Sequence, residues 1–116
     1  MQSVVTLHCI AWSDAATLLQ DVRVAVCAIG LLSAEEMPAD EVDPLSRHAL
    51  AVTKGGRAIG CARITPQGCI ERIAVMPHEQ REQVIAALIG ELKDYARHAG
   101  LDHPHRRLPS GDAIPV

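Results

Sequence analysis

The chain contains no phenylalanine, and Trp12 and Tyr95 are its only aromatic residues among 116. Stacking of nucleic-acid bases on aromatic rings is therefore all but excluded. A formal charge of −3 argues equally against a binder of phosphate backbones. No apolar run approaches the roughly 20 residues that a bilayer-spanning helix needs, so no membrane partner is expected. The N-terminus lacks a charged region followed by an apolar core, and a cytoplasmic protein of bacterial type is the default expectation. Cysteine is sparse as well. Cys9, Cys27, Cys61 and Cys69 match no zinc spacing, and in a reducing compartment they read as small buried hydrophobes. His98, His103 and His105 have no Cys or carboxylate at ligand spacing, so no metal site is expected.

What is present is aliphatic and strongly patterned. The apolar residues are nearly all Ala, Val, Ile and Leu, and the length suits one domain. Val4–Ile10 reads as a first strand. Ser13 is a candidate N-cap for a helix with Ala15, Leu18, Leu19, Val22 and Val26 on one face. The stretch from Gly30 to Arg47 has no clear period and carries Glu35, Glu36, Asp40, Glu41 and Asp43. By composition it reads as a solvated loop; the family resemblance given below implies instead a loop near the acceptor amine that attracts a cationic substrate. Next come alternating runs over His48–Lys54, Arg57–Ile64 and Cys69–Val75, separated by Gly55-Gly56 and Pro66-Gln67-Gly68. This pattern predicts two consecutive hairpins. In the third run Ile70 and Ile73 stand at opposite parity, so either both faces are covered or a bulge lies between them. A long helix over His78–His98 follows, with Val84, Ile85, Leu88, Ile89, Leu92, Tyr95 and Ala96 forming an apolar stripe. Gly100 is its expected stop. The strand-to-helix junction places free N–H groups and a positive dipole end where an anion could sit.

This order of elements resembles the GNAT superfamily of acyl-CoA-dependent N-acyltransferases, in particular a small bacterial branch. Arg23 precedes Val26-Cys27-Ala28-Ile29-Gly30-Leu31, the acidic loop follows, and Arg47-His48-Ala49-Leu50-Ala51 stands in register. Arg57-Ala58-Ile59-Gly60-Cys61-Ala62-Arg63 and Ile70-Glu71-Arg72-Ile73-Ala74-Val75 are similar to two of the family's central strands. The resemblance covers roughly residues 12–100 and implies an α+β fold, with a mixed, mainly antiparallel sheet flanked by helices. It implies acetyl-CoA as cofactor and an amine-bearing substrate. The pantetheine arm would pair with the backbone of Ile73, Ala74 and Val75. The pyrophosphate would lie on Gln80, Arg81, Glu82, Gln83, Val84, Ile85 and Ala86. Glu71 is the one carboxylate that can be placed as a base for the amine, with a salt bridge to a nearby Arg as the alternative.

The departures fall in the phosphate loop. Gln83 and Ile85, or Val84 in a register shifted by one residue, stand where the family has glycines, and side chains there crowd a close backbone approach. Residues 1–100 thus read as a shortened GNAT-like domain, with the family's C-terminal strands missing. Residues 101–116 read as a Pro-rich tail or edge segment. An uncovered edge on the third hairpin strand implies a homodimer, with the Pro-rich tail from Leu101 folding back over the same edge as the competing cover. Two functions follow: an N-acetyltransferase with impaired cofactor binding, and a non-catalytic dimerisation or partner-binding module on the same scaffold.

Overall fold

The computed structural model describes residues 5–108 and 110–116. The chain order is β1 (Val5–Ala11), α1 (Trp12–Ala28), a short 3-10 helix (Asp43–Leu45), β2 (Arg47–Thr53), β3 (Ala58–Ile64), β4 (Cys69–Val75), α2 (Arg81–Ala99), β5 (His105–Arg107) and β6 (Ala113–Pro115). The six strands form one sheet in the order β1-β2-β3-β4-β5-β6. All neighbours are antiparallel except β4 and β5. Val4, included in the expected first strand, lies outside the described residues.

Both expected hairpins are present. Thr53 and Arg57 close the first and Thr65 and Cys69 the second, each over three loop residues with a glycine at positive φ, Gly56 at 88° and Gly68 at 86°. That loop length needs a left-handed residue to return the chain into register, which is why glycine stands there.

The two helices lie on opposite faces of the sheet. Against one face, α2 packs Val84, Leu88, Leu92 and Ala96 on Ala49, Ala51, Ile59, Ala62, Ile64, Ile70 and Val75. The four buried α2 residues recur every fourth position, with Ile85, Ile89 and Tyr95 at the margins of the same stripe. Gly60 lets the helix approach closely, since a Cβ there would stand 3.1 Å from Val75 Cγ2 and 3.3 Å from Leu88 Cδ1. Gly100 ends α2 in the left-handed conformation, as its place after the stripe predicts. Against the other face, α1 packs Leu19, Val22 and Val26 on Leu50, Cys61 and Ala74.

Three expectations are corrected. Ser13 does not cap α1, which begins at Trp12 with Ala11 as its uncapped N-cap. Leu18 is exposed, and Arg23 takes a place on the buried face. The C-terminal strands are shortened rather than missing. β5 pairs in parallel with β4 at Cys69↔His105 and Ile70↔Arg106, and β6 folds back on it around Gly111. Pro115 is tolerated because β6 is the sheet edge, where no neighbour needs its missing donor. Of the two covers expected for the β4 edge, a homodimer and the tail from Leu101 folding back, the tail's own β5 occupies the edge at Cys69 and Ile70.

Candidate functional site

The site begins with a bulge. The β3–β4 register runs from Cys61↔Ala74 to Arg63↔Glu71, which places one extra residue on β4. Arg72 is that residue's neighbourhood marker, with φ at 52°, a conformation that costs an L-residue roughly 1–2 kcal/mol. The extra residue explains the parity of Ile70 and Ile73, which both pack with the α2 cluster although three positions apart. The strained backbone is held by its own side chain. Arg72 donates to the carbonyls of Glu36 and Pro38 and to Asp40 Oδ2 at 3.0 Å, so the acidic loop and the bulge fix each other.

Beyond the bulge β4 stays paired with β3 but has no partner on its β5 side. β5 follows it only at Cys69 and Ile70, so Ile73–Val75 have an open side. Met76 N–H donates to Ile59 O on β3, and alternation therefore turns the amide and carbonyl of Val75 toward that open side. Arg81 Nε donates to this carbonyl at 3.1 Å. A groove of about 780 Å³ lies here, between β4, the first turns of α2, the β5–β6 hairpin and the loop after α1.

The groove brings some of the expected residues together and leaves others out. Glu71, Ile73, Arg81, Glu82 and Ile85 line it. Ala74, Val75 and Val84 are buried in the two cores, and Gln80, Gln83 and Ala86 are not among its lining residues. Val84 faces the sheet, so side-chain crowding of the groove falls to Ile85 rather than to Val84. The sequence reading missed Arg106, Arg107 and Leu108, which reach the groove from the segment read as a tail.

Glu71 is ion-paired. Arg63 donates to its Oε2 from Nη2 at 2.5 Å and from Nε at 3.0 Å, and Arg107 Nε lies 3.4 Å from Oε1. Burial by itself would raise the Glu71 pKa, but the Arg63 bonds outweigh it and hold the carboxyl below its ordinary value.

Behind Glu71 lies a buried charge network. Asp43 is 0 % exposed and receives Arg23 on both carboxylate oxygens, at 2.7 and 2.8 Å. Arg63 reaches Asp43 Oδ1 at 2.9 Å and Asp40 Oδ1 at 2.7 Å. Burial works to raise the Asp43 pKa, yet Arg23, the Asp40 backbone N–H and Arg63 bring it well below the carboxylate range. His48 Nε2 lies 2.9 Å from the Asp43 carbonyl, so that nitrogen donates, while Nδ1 is buried with no partner among the described residues. Burial keeps the ring neutral by pushing its pKa down. Trp12 closes the cluster, its ring 5.1 Å from His48 and 5.3 Å from the Arg23 guanidinium. Asp40 and Asp43 therefore bind the chain's own arginines, which corrects both readings of the acidic loop at these positions. Glu35 and Glu36 remain at the groove wall. The missed signal was Arg23 at helical spacing among Leu19, Val22 and Val26, and Arg63 inside an apolar run.

All four cysteines are free, Cys61 and Cys69 buried and the other two half-buried. Burial raises the Cys61 thiol to about 12, which removes it as a nucleophile. Among the described residues no cluster of three His, Cys, Asp or Glu could hold a metal ion, and no helix is long and apolar enough to cross a membrane.

The mainly antiparallel sheet thus opens on the β5 side after a bulge, beside the start of α2. Over residues 12–105 the chain matches the model of the acetyltransferase (GNAT) family, and it belongs to that family. Its fold is similar to that of a Klebsiella pneumoniae subsp. pneumoniae protein named as an acyl-CoA N-acyltransferase. That similarity has a TM-score of 0.67 and 19% identity, over 89% of this chain and 70% of that one. It is also similar to a fungal multi-domain GH3 β-N-acetylglucosaminidase containing a GCN5-related glucosamine N-acetyltransferase region. There the TM-score is 0.62 with 14% identity, over 91% of this chain and 14% of that one. No curated protein sequence matches the chain.

Proposed function

We propose that this chain is an N-acetyltransferase that takes acetyl-CoA into the splay beside β4 and delivers the acetyl group slowly to an amine. The observation that carries this reading is the half-open β4 edge. The bulge at Arg72 and the two-residue β4–β5 pairing leave Ile73–Val75 without a strand partner on one side, where Ile73 lines a groove large enough for an extended arm and Arg81 holds the Val75 carbonyl. When bound, acetyl-CoA supplies an activated thioester. The chain's own residues supply the rest: a backbone edge for the arm, Arg81 beside the start of α2, and Glu35 and Glu36 on the opposite wall for a cationic acceptor.

Glu71 stands nearest the bulge as a base, and its pairing with Arg63 makes it a weak one. Its stronger effect is to hold Arg63, and through it the bulge, in place. Binding is weak in this reading because the Ile85 side chain stands in the groove and because Arg81 must release the Val75 carbonyl. That occupied carbonyl also favours the second reading, a scaffold kept for partner binding.

Isothermal titration with coenzyme A and with acetyl-CoA, followed by a thiol-release assay over a panel of primary amines, tests the proposal. The expected result is a dissociation constant above about 10 µM and slow, amine-dependent thiol release. Absence of heat at millimolar ligand would sink the enzyme reading and leave the scaffold.

A further inference from the structure

The charge network behind the groove does not balance. Arg23, Arg63, Arg72 and Arg107 share three carboxylates, those of Asp40, Asp43 and Glu71. The bonds to Glu71 are short on the inner side and long on the outer. Arg63 takes Oε2 at 2.5 and 3.0 Å, whereas Arg107 reaches Oε1 only at 3.4 Å, through Nε. Most of the Glu71 charge is thus spent on Arg63, and the surplus positive charge falls on Arg107. That side chain is 57 % exposed and lines the groove. Its terminal nitrogens, Nη1 and Nη2, have no partner among the described residues.

The fold fixes which half of the groove this charge faces. Arg106 pairs with Ile70 across the parallel β4–β5 ladder, and Ile70 packs under α2. Arg107, one residue on, therefore projects to the α1 side and meets Glu71 there. The loop after α1 lies on the same side, since its Leu32 and Met37 pack in the α1 cluster. It brings Glu35 and Glu36 to the groove, and neither is ion-paired among the described residues. This half of the groove is bipolar, with free carboxylates on the loop and a surplus guanidinium on the β5–β6 hairpin. One ammonium is drawn to the loop wall, but a second one near the hairpin is repelled, and an anion there is attracted.

We propose that the acceptor is an amine that also carries a carboxylate, an amino acid or a close analogue, and that Arg107 selects it. The carboxylate lies across Nη1 and Nη2, with the amine toward Glu35 and Glu36. This rests on the acyl-transfer reading above and narrows its acceptor. The end of a guanidinium offers two parallel N–H donors to two carboxylate oxygens, a geometry that a lysine ammonium cannot copy. Arg107 acts on specificity and touches no reacting atom.

The test uses acceptors matched in length: glycine against glycinamide, β-alanine against β-alaninamide, and 4-aminobutanoate against 1,4-diaminobutane. Thiol release from acetyl-CoA is measured as kcat/KM, referred to the free-amine concentration, for wild type, Arg107→Ala, Arg107→Lys and Arg107→Glu. Wild type is expected to favour the carboxylate in at least one pair by about tenfold. That ratio should fall to near one in Arg107→Ala, recover in part in Arg107→Lys and invert in Arg107→Glu. No preference in wild type for any pair overturns the proposal. So does an Arg107→Ala variant that is slower but keeps the wild-type ratio, since the residue then only steadies Glu71. A second measurement omits the acyl donor. Arginine Nε–H resonances are followed by NMR while each acid and its partner are titrated in at millimolar concentration and constant ionic strength. Movement of Arg107 with an acid and not with its partner supports the proposal, even where acetyl-CoA gives neither heat nor thiol release. Where thiol release is absent, no movement of Arg107 overturns it; where release is present, the kinetic ratio decides. Movement with coenzyme A alone assigns Arg107 to the donor and also overturns it.

Discussion

On the α2 face of the sheet, Ile64, Ile70, Leu88 and Leu92 are buried in a cluster of hydrophobic side chains. On the α1 face, Leu19 and Val26 are buried just as deeply, but beside them lie Asp43, Arg23, His48 and Arg63. The first face is held by area removed from water, which depends little on direction. The second depends on geometry, because each buried charge is tolerable only while its partner stays within hydrogen-bond reach. The bulge lies on the second kind of support: Arg63 links Asp43 and Asp40 to Glu71, and Arg72 links Asp40 to the strained backbone. An aliphatic face can adjust to a lost methyl group, whereas the charged face specifies one arrangement of the loop over residues 36–43.

Substitution of Asp43 is the hardest test of this contrast. Asp43→Ala strands Arg23 and Arg63 without their shared carboxylate, and the expected cost is about 3–5 kcal/mol, read from urea denaturation. A loss below about 1 kcal/mol would mean that the network contributes no more than a surface pair. The same network sets the acid response. Asp40, Asp43 and Glu71 have depressed folded-state pKa values, so their stabilisation is complete above the ordinary values of 3.8 and 4.5 and is lost as pH falls below them. His48 is also depressed, from 6.5, and contributes a shallower loss that begins as pH drops through that value. Thermal melts across this range should show both steps in wild type and a much smaller lower step in Asp43→Asn.

On the aliphatic face, Leu88→Ala leaves a cavity under α2 and should cost about 2–5 kcal/mol, with no change in the pH profile. A shift of that profile would show that the two faces are coupled. Gly60→Ala tests overpacking on the same face. Its new methyl meets Val75 and Leu88 inside 3.4 Å, and a loss of about 1–3 kcal/mol is expected in the same denaturation assay. The smallest effect is at the bulge. Arg72→Gly and Arg72→Ala lose the same loop contacts, but only alanine retains the penalty of a φ near 52°. Glycine should therefore be the more stable variant by about 1 kcal/mol. Equal stabilities would show that the backbone relaxes once the side chain is gone.

The legible parts were those that local chemistry determines. The hairpins follow from Thr53-Lys54-Gly55-Gly56 and Thr65-Pro66-Gln67-Gly68, whose glycines close three-residue loops, and α2 follows from a stripe of period near four ending at Gly100. The candidate site was legible only in part. Glu71, Ile73, Arg81, Glu82 and Ile85 reach the groove, while Val75 and Val84 serve the core. The C-terminal segment was underread because its strands are three residues long, below the length at which alternation can be told from chance.

By itself, then, the sequence determined the hairpins and the helices, because each rests on residues within one turn or one helical period of one another, and the family, from the order of those elements along residues 12–105. It also posed the parity question at Ile70 and Ile73. The tertiary structure alone decided that question in favour of a bulge, since only the register against β3 shows the extra residue. It likewise decided which charges are spent and which are free. Asp43 meets Arg63 across 20 positions and Asp40 meets Arg72 across 32, while Arg81 and Arg106, in elements separated by the length of α2, line one groove. Charge pairing depends on distance in space, and one-dimensional patterning carries no record of it.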